Sequence, residues 1–347
     1  MEKESRNILV VSVNWLGDAV MLTPGLKAVK ERFPASRLSV MCVTRLEEFF
    51  SGNPYVDEVL VFDEKTHHAG IKAKIEYSRN LRARNFDIVF CVQRSLTRLL
   101  LCALAGIPER VGYSRRKTAL LLTHRVSDPG DRIHRQDRYC LLFEHYGIPV
   151  REKMNFVSVP EFARSESNAL LSGVLGRADH LVGVQPSANW DAKRWPPQRF
   201  AAVCDKLIRE KNCAVVCIGT EGDRSVVEQM SALMEEPLYN LLGKTTLLSL
   251  CAVLEHCDLF LSNDSGPAHV SAGLGIPTVV LFGPTDARVT GPRGSRVKVL
   301  QKPVSCTIPC YRAECARNMC MEKIEVDEVY RCAVAQLGGI QEYSRTE

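Results

Sequence analysis

No apolar run in the sequence is long enough to cross a membrane. The longest candidate, Leu99–Ile107, has nine residues, whereas a membrane-spanning helix needs about 20. The N-terminal run Ile8–Val13 is too short for the apolar core of a signal peptide. We therefore expect the protein to work in the cytoplasm.

The composition also excludes a disordered chain and a small disulfide-stapled one. Hydrophobic residues make up 46% of the 347, aromatic residues only 7%, and the formal net charge is +5, which fits a globular protein of about two domains. The 14 cysteines are about 4% of the chain, which is too few for a small disulfide scaffold. Since thiols stay reduced in the cytoplasm, we expect core thiols, metal ligands or catalytic groups.

Two common phosphate-binding motifs are missing. The first predicted strand is not followed by G-x-G-x-x-G, which argues against a nicotinamide dinucleotide site. Gly243-Lys244-Thr245 resembles the end of a P-loop, but Leu238 stands where that motif requires glycine. The sequence therefore predicts neither a nicotinamide dinucleotide site nor a P-loop.

Short β-branched runs alternate with amphipathic helical segments along the chain. Examples are the strand candidate Leu259–Ser262 and the helical candidates Ile71–Arg84 and Pro197–Lys211. Such alternation predicts parallel sheets with helices on both faces, and two series of similar length meet at a polar joint over 155–178.

The predicted fold class is therefore α/β, with two Rossmann-like parallel-sheet domains facing each other across a cleft. We place the domains at 1–160 and 161–325, followed by a C-terminal helix over 326–347 that could pack back on the N-terminal domain. Ligands of open α/β sheets bind beyond the carboxyl ends of the strands, so residues directly after strands are the candidates for function.

A glycine and an acid follow the first strand. Gly17 permits a tight turn or a close approach to a ligand, and Asp18 stands where a helix begins. The alternative interpretation is that Asp18 merely caps that helix.

A basic loop follows the first strand of the second series. Ser187, Asn189, Lys193 and Arg194 precede Trp195 there, and such a loop is a plausible phosphate clamp. The alternative is a solvated loop whose indole packs into the core.

The run Asn263-Asp264-Ser265-Gly266-Pro267-Ala268-His269 carries the strongest signal. A buried strand delivers Asp264 and Ser265, and proline suits the first turn of the helix that follows. Free N–H groups at such a helix start form a natural pyrophosphate site, while Asp264 can accept hydrogen bonds from sugar hydroxyls and His269 lies near the same helix end.

Together these motifs resemble glycosyltransferase family 9, the ADP-heptose:lipopolysaccharide heptosyltransferases. The resemblance covers nearly the whole chain, and its specific part is Asp264–His269 joined to Phe282-Gly283-Pro284-Thr285. Ala192–Pro196 and the late cysteines match the heptosyltransferase II type.

The resemblance implies a GT-B fold and an inverting, metal-independent transfer that requires no cofactor. It implies that Asp18 is the general base for the acceptor hydroxyl and that Lys193 stabilises the leaving ADP. The N-terminal domain would take the acceptor and the C-terminal domain the donor, ADP-heptose. The implied donor-binding residues are Ser187, Asn189, Lys193, Arg194, Glu221, Thr245, Asp264, Ser265, Gly266 and His269.

Positive charge is concentrated in the predicted acceptor half. Residues 72–138 hold 15 basic and 6 acidic side chains, and Gly17, Arg94, Arg115 and Arg116 are our acceptor-side candidates. We expect a phosphorylated glycolipid as acceptor and peripheral contact with the anionic inner leaflet of the cytoplasmic membrane. Nucleic acid is not expected, because aromatic residues are not interleaved with the basic ones.

Four cysteines cluster late in the chain, namely Cys306, Cys310, Cys315 and Cys320. They could form a structural tetrathiolate zinc site, although the usual C-x2-C spacing is missing. The alternatives are reduced core thiols or disulfides formed on purification.

Three other functions stay open at this stage. One is a glycosyltransferase with another nucleotide-sugar donor and another acceptor. The second is a nucleotide-sugar epimerase, which needs no basic surface, and the third is a non-catalytic sugar-nucleotide binder.

Overall fold

The computed structural model describes residues 5–130 and 133–343. The chain divides into two compact units, one ending at Ser158 and the other beginning at Val159, close to the boundary expected at 160. Residues 131–132 of the basic stretch and residues 344–347 of the expected C-terminal segment lie outside the described residues.

The first unit is a six-stranded sheet, with α1 packed against α5 and α3 against α4. Its strands are β1 (Asn7–Val11), β2 (Arg37–Cys42), β3 (Glu58–Val61), β4 (Ile88–Cys91), β5 (Glu109–Tyr113) and β6 (His124–Val126). Its helices are α1 (Leu16–Arg32), α2 (Glu47–Ser51), α3 (Ile71–Ala83), α4 (Leu96–Leu104) and α5 (Arg135–His145), with 3-10 turns at Thr44–Leu46 and Ala119–Leu121.

The second unit is a six-stranded sheet as well. Its strands are β7 (His180–Gln185), β8 (Cys213–Cys217), β9 (Leu238–Asn240), β10 (Leu259–Asn263), β11 (Thr278–Phe282) and β12 (Val297–Gln301). Its helices are α6 (Glu161–Leu171), α7 (Pro197–Lys211), α8 (Arg224–Ser231), α9 (Leu247–Glu255), α10 (Gly266–Gly273), α11 (Ala287–Thr290), α12 (Met319–Glu322) and α13 (Val326–Tyr343). Short 3-10 turns occur at Asp191–Lys193 and Glu221–Asp223.

The two sheets share one strand order. The first runs β3-β2-β1-β4-β5-β6 and the second, read from the opposite edge, β9-β8-β7-β10-β11-β12, with parallel pairing throughout. The order reverses between β1 and β4 and between β7 and β10, and in such sheets ligands bind outside the carboxyl ends of the strands at that reversal. The prediction of two parallel α/β sheets is confirmed, and the reversals point to four loops.

The central strands do not alternate between apolar and polar residues, because both of their faces lie in a core. Leu9 and Val89 are fully buried in the first unit, as are Val215, Leu261 and Leu281 in the second, because both faces of a parallel sheet are covered by helices. Nine cysteines outside the late cluster are buried and Cys332 is half-buried, so those nine are core thiols, one of the three roles expected for the cysteines. Burial raises the pKa of Cys42, Cys213, Cys217 and Cys257 to about 12.

Several elements escaped the sequence prediction. The polar joint contains α6, which begins after Pro160 and buries only Ala163, Ser167 and Leu171, so its apolar face is too small to signal a helix. The strands β6 and β9 have three residues each, and β12 is an edge strand with one buried residue.

The last helix, α13, was expected as a segment that could pack back on the N-terminal domain. The structure gives its apolar side chains Val329, Ala333 and Leu337 to the core of the second unit, where the helix packs against α7. With 18 residues it is the longest helix described. Within residues 5–130 and 133–343, no helix is both long and apolar enough to span a bilayer.

Candidate active site

Asp18 lies in the first turn of α1, directly beyond the carboxyl end of β1. The N-cap of the helix is Trp15, whose side chain makes no capping hydrogen bond, so the interpretation of Asp18 as the N-cap is wrong. Only 8% of Asp18 is exposed. A carboxylate held there is favoured by the helix dipole and lies at the edge of the sheet where ligands bind.

Two side chains of α5 contact this carboxylate. Arg135 Nη1 lies 3.2 Å from Asp18 Oδ1. Burial and the neighbouring Asp18 charge raise the pKa of Tyr139 well above its ordinary value, so the phenol stays protonated. The sequence places Arg135 only in the basic stretch and does not single out Tyr139, because α5 is more than a hundred residues from Asp18 in the sequence.

The turn that presents Asp18 is held by two further arginines. Arg98 is 3% exposed and donates from Nη1 to Ser12 O at 3.3 Å and from Nη2 to Asn14 Oδ1 at 3.1 Å. Arg45 donates twice to Asn14 O, at 2.9 and 2.7 Å, and its guanidinium stacks 4.4 Å from the centre of the Trp15 ring. The sequence placed Arg98 in the basic stretch and did not single out Arg45.

Two of the predicted acceptor-side arginines converge on one carboxylate. Arg94 Nη2 lies 2.6 Å from Asp128 Oδ1, and Arg115 Nε lies 3.5 Å from Asp128 Oδ2. Arg138 joins them, with its Nε 3.3 Å from Asp128 Oδ1. Three cations around one carboxylate leave this part of the first unit positive. Arg116, the other predicted arginine, is exposed.

A small cavity lies beside these arginines, beyond the ends of β4 and β5. Its volume is about 40 Å³. Its polar lining residues are Gln93, Arg94, Ser95, Tyr113, Arg115 and Thr118. The cavity and Asp18 thus belong to neighbouring strand ends of one sheet, with β1 and β4 paired directly.

In the second unit Lys193 and Asp264 form a largely buried ion pair. Lys193 Nζ lies 2.6 Å from Asp264 Oδ2, and Thr285 Oγ1 donates to the same oxygen at 2.6 Å. The ammonium also lies 4.9 Å from the centre of the Trp190 ring. The family resemblance assigns both residues to the donor site; it does not predict that Asp264 holds Lys193.

The pair stands at the first turn of α10. Ser265 is the N-cap, but its hydroxyl donates to Gln185 Oε1 at 2.6 Å and makes no capping hydrogen bond. Gly266 and Pro267 begin the helix, and His269 is buried within it. The helix start therefore offers N–H groups that no side-chain cap occupies, as an anion site requires.

The loop after β7 is fixed by Asn263. Its Oδ1 accepts from Trp195 N at 3.0 Å and its Nδ2 donates to Pro186 O at 2.7 Å. Trp195 is completely buried, so the alternative interpretation was correct for the indole but not for the basic residues beside it.

The remaining polar residues of this loop differ in exposure. Ser187 is completely buried, and its Oγ has no hydrogen-bond partner among the described residues. Asn189 is exposed, while Arg194 pairs with Asp191 and donates from Nε to Ala188 O at 3.0 Å.

Glu221 and Gly243 meet beyond the next strands of the sheet. Glu221 pairs with Arg224 at 2.9 Å and lies against Gly243, where an added Cβ would overlap its carboxylate. Gly243 also has φ of +67°, which disfavours other residues. Thr245, one of the implied donor-binding residues, is half-buried two positions later.

The late cysteines do not assemble the predicted zinc site. Across the described part of the chain, no three His, Cys, Asp or Glu side chains are placed to hold a metal ion. Cys306 and Cys315 are exposed, while Cys310 and Cys320 are half-buried.

Instead, the cysteine segment braces both donor-side loops. Ala192 N donates to Ala313 O at 3.0 Å, and Cys310 N donates to Pro284 O at 2.6 Å. The backbone of the cysteine segment is therefore tied to both loops.

Comparisons with known proteins agree with this architecture. The family model described as glycosyltransferase family 9 (heptosyltransferase) matches residues 75–320. Lipopolysaccharide heptosyltransferase 2 of Salmonella typhimurium is 27% identical, over 85% of this chain and 87% of that protein.

Two solved structures are similar over almost their full length. ADP-heptose lipopolysaccharide heptosyltransferase II of Escherichia coli is 25% identical with a TM-score of 0.81, covering 97% of this chain and 99% of that chain. A glycosyltransferase family 9 protein of Veillonella parvula is 26% identical with a TM-score of 0.86, covering 97% and 98%.

Proposed function

Because this chain belongs to glycosyltransferase family 9, we propose that it transfers heptose from ADP-heptose to the inner core of lipopolysaccharide. The acceptor in this proposal is Kdo-lipid A or heptosyl-Kdo-lipid A. The names of the Salmonella and Escherichia relatives, matched over most of their length, support heptose as the sugar and lipopolysaccharide as the acceptor.

The observation that carries the proposal is the Lys193–Asp264 pair at the start of α10. The carboxylate fixes the ammonium 2.6 Å away, next to a helix start whose N–H groups have no side-chain cap. A diphosphate bound there gains charge when the sugar departs, and a preorganised cation with oriented N–H groups stabilises that charge.

The other donor contacts follow from their positions beyond the strand ends. Ser187 has a buried hydroxyl with no partner among the described residues, which suits a donor to a phosphate oxygen. Asn189, Arg194 and His269 complete the phosphate and sugar contacts in this proposal. Glu221 and Thr245, on either side of Gly243, would bind the nucleoside.

Asp18 is the proposed general base. An inverting displacement needs one carboxylate to take the proton of the attacking hydroxyl. Asp18 is held by Arg135 and lies at the ligand-binding edge of its sheet, and Gly17 before it carries no side chain that would obstruct an acceptor. The proton goes from the acceptor hydroxyl to Asp18, the new bond forms at the anomeric carbon, and ADP leaves.

No metal or other cofactor is part of the proposed mechanism. Lys193, Arg194 and the N–H groups of α10 supply the positive charge that the leaving ADP requires. Transfer should therefore continue in the presence of a chelator.

On the acceptor side, the proposal assigns an anionic group of the glycolipid to the cations beside the small cavity. Arg94 and Arg115 line that cavity and Arg116 follows on the surface. We further propose that the protein works in the cytoplasm at the inner leaflet, where a lipid-anchored acceptor would be presented. The excess of basic residues in this half of the chain supports contact with an anionic surface.

A transfer assay with defined substrates tests the function. The protein is incubated with ADP-heptose and either Kdo-lipid A or heptosyl-Kdo-lipid A, and a mass increase of one heptose on either identifies the acceptor. Thermal shifts with ADP-heptose and with UDP-sugars test the donor, since a ligand of the folded state raises Tm. Stabilisation by a UDP-sugar but not by ADP-heptose would refute the donor assignment.

A further inference from the structure

The outer face of the α3–α4 layer in the first unit is apolar and uncovered within that unit. Six large side chains on α3, α4 and the adjoining 3-10 turn are between 43 and 89% exposed. We call this set the α3–α4 face; its members are Ile71, Ile75, Leu96, Leu100, Leu104 and Leu120.

Their spacing makes continuous stripes. Leu96, Leu100 and Leu104 recur every four residues, which places them on one side of α4, and Ile71 and Ile75 do the same on α3. The opposite side of α4 is already used, since Leu99 and Leu101 are buried in the core. A surface helix normally keeps only its core-facing side apolar, so the second stripe requires another explanation.

The elements that carry the stripes are neighbours. Ser78 Oγ of α3 donates to Leu101 O of α4 at 3.2 Å, and Arg82 Nη2 donates to Leu104 O at 2.6 Å. The 3-10 turn that carries Leu120 also contacts α4. The six side chains therefore belong to adjoining parts of one layer.

Cations surround this apolar surface. Residues 71–125 hold 12 basic and 3 acidic side chains. Exposed cations on the same elements and the loop before Leu120 are Lys72, Arg79, Arg82, Arg115, Arg116 and Lys117. Leucines flanked by lysines and arginines are typical of a protein surface that lies in the headgroup region of an anionic bilayer.

We propose that the α3–α4 face docks on an anionic phospholipid bilayer, with its leucines and isoleucines at the acyl-chain boundary and its cations at the phosphates. The inference rests on the proposed function, whose acceptor is a glycolipid, and names the surface that meets the lipid. A symmetric contact between two copies would place two basic rims against each other, which like-charge repulsion disfavours.

The geometry also connects docking with the acceptor. Ser95 caps the N-terminus of α4 and lines the small cavity together with Arg94, and Leu96 begins the exposed stripe at the next position. Thr118, two positions before Leu120, lines the same cavity. A bilayer on the α3–α4 face would therefore lie next to the cations assigned to the glycolipid.

Vesicle sedimentation with the full chain tests the inference. The wild type should bind vesicles of phosphatidylglycerol and phosphatidylethanolamine, bind phosphatidylcholine vesicles poorly, and be released by salt. Leu100→Gln with Leu104→Gln should weaken binding at least about tenfold, and Lys72→Gln with Arg79→Gln about fivefold for each charge removed. The matched controls in the second unit, Leu175→Gln with Leu233→Gln and Lys211→Gln, should bind like the wild type.

Two results would overturn the inference. One is equal binding by the Leu100/Leu104 variant and its control. The other is a wild type that ignores anionic vesicles but sediments as a dimer that the same variant dissociates. Transfer to a soluble, delipidated acceptor is measured in parallel: transfer without vesicle binding refutes only the docking surface, and vesicle binding without transfer refutes the proposed function.

Discussion

In the first unit, Arg135 Nη1 lies 3.2 Å from Asp18 Oδ1, and Asp18 is only 8% exposed. The contact joins the first turn of α1 to the first turn of α5. It fixes one carboxylate oxygen by a charge-assisted hydrogen bond and so orients the whole group. The candidate base therefore has a defined direction before any acceptor arrives.

Replacing Asp18 by Asn should abolish proton removal while keeping the shape of the side chain. We expect kcat for heptose transfer to fall by about 10²–10⁴-fold, the usual contribution of a general base. The thermal shift produced by ADP-heptose should persist, because the donor residues belong to the second unit. Glu152→Gln, which also removes a carboxylate from the first unit, is the control, and full activity of Asp18→Asn would refute the assignment.

Removing the guanidinium of Arg98 should loosen the turn that presents Asp18. In Arg98→Met, Ser12 O and Asn14 Oδ1 lose charged donors at 3.3 and 3.1 Å. We expect the free energy of unfolding to fall by about 2 kcal/mol and kcat to fall while KM for ADP-heptose stays constant. Arg151→Met removes an exposed arginine of the first unit and should change neither the free energy of unfolding nor kcat. A loss confined to stability would show that Arg98 supports the fold but not the reaction.

The sequence predicts the candidate site residues that follow strands. It does not predict the residues whose side chains hold them in place. Short local motifs in the segments that follow strands mark Gly17, Asp18, Lys193 and Asp264. Arg98 contacts Asn14 across 84 positions, and no local pattern encodes such a contact. The sequence also does not show which group pairs with the Lys193 ammonium, since its ion pair with Asp264 forms only when two loops that are distant in the sequence meet.

The late cysteines are a case in which a local sequence pattern predicted a site that the structure does not form. Their spacing favoured a metal site, but the spacing of residues does not fix where a loop backbone runs. Hydrogen bonds from Ala192 to Ala313 and from Cys310 to Pro284 tie that backbone to the donor loops. The segment therefore acts on the donor loops through its backbone.

Gly243→Ala should weaken the proposed nucleoside contact. The new Cβ would overlap the Glu221 carboxylate, and the φ of +67° costs a non-glycine residue about 1–2 kcal/mol. We expect lower stability and a higher Kd for ADP, measured by calorimetry. Gly173→Ala is the control, because no atom lies near its added Cβ, and it should leave the Kd for ADP unchanged. Unaltered ADP binding in Gly243→Ala would place the nucleoside elsewhere.

Alkaline pH should destabilise the reduced protein through its buried thiols. The pKa of Cys42, Cys213, Cys217 and Cys257 is about 12 in the folded chain and about 8.5 when unfolded. A raised folded-state pKa gives stability that is complete below pH about 8.5 and is lost as the pH rises towards 12.

The measurement is the midpoint of urea unfolding under reducing conditions between pH 8 and 10. The free energy of unfolding should decline with rising pH. In Cys217→Ala its slope against pH should be smaller by the contribution of one titrating proton. Val216→Ala, at the neighbouring and equally buried position, should lower stability without changing the slope. An unchanged slope in Cys217→Ala would contradict the assignment of this pH dependence to Cys217.

Lys193→Met should separate leaving-group stabilisation from folding. The variant removes the ammonium that lies 2.6 Å from Asp264, but Thr285 continues to donate to the same carboxylate oxygen. We expect kcat to fall by about 10²–10³-fold, as for the loss of one preorganised donor to a developing anion. Because Asp264 is largely buried, its unpaired charge should also lower stability, and the double variant with Asp264→Asn should recover that stability but not kcat. Lys206→Met, which removes a surface ammonium paired with Asp327, is the control. Recovery of kcat together with stability would mean that Lys193 serves only to neutralise Asp264.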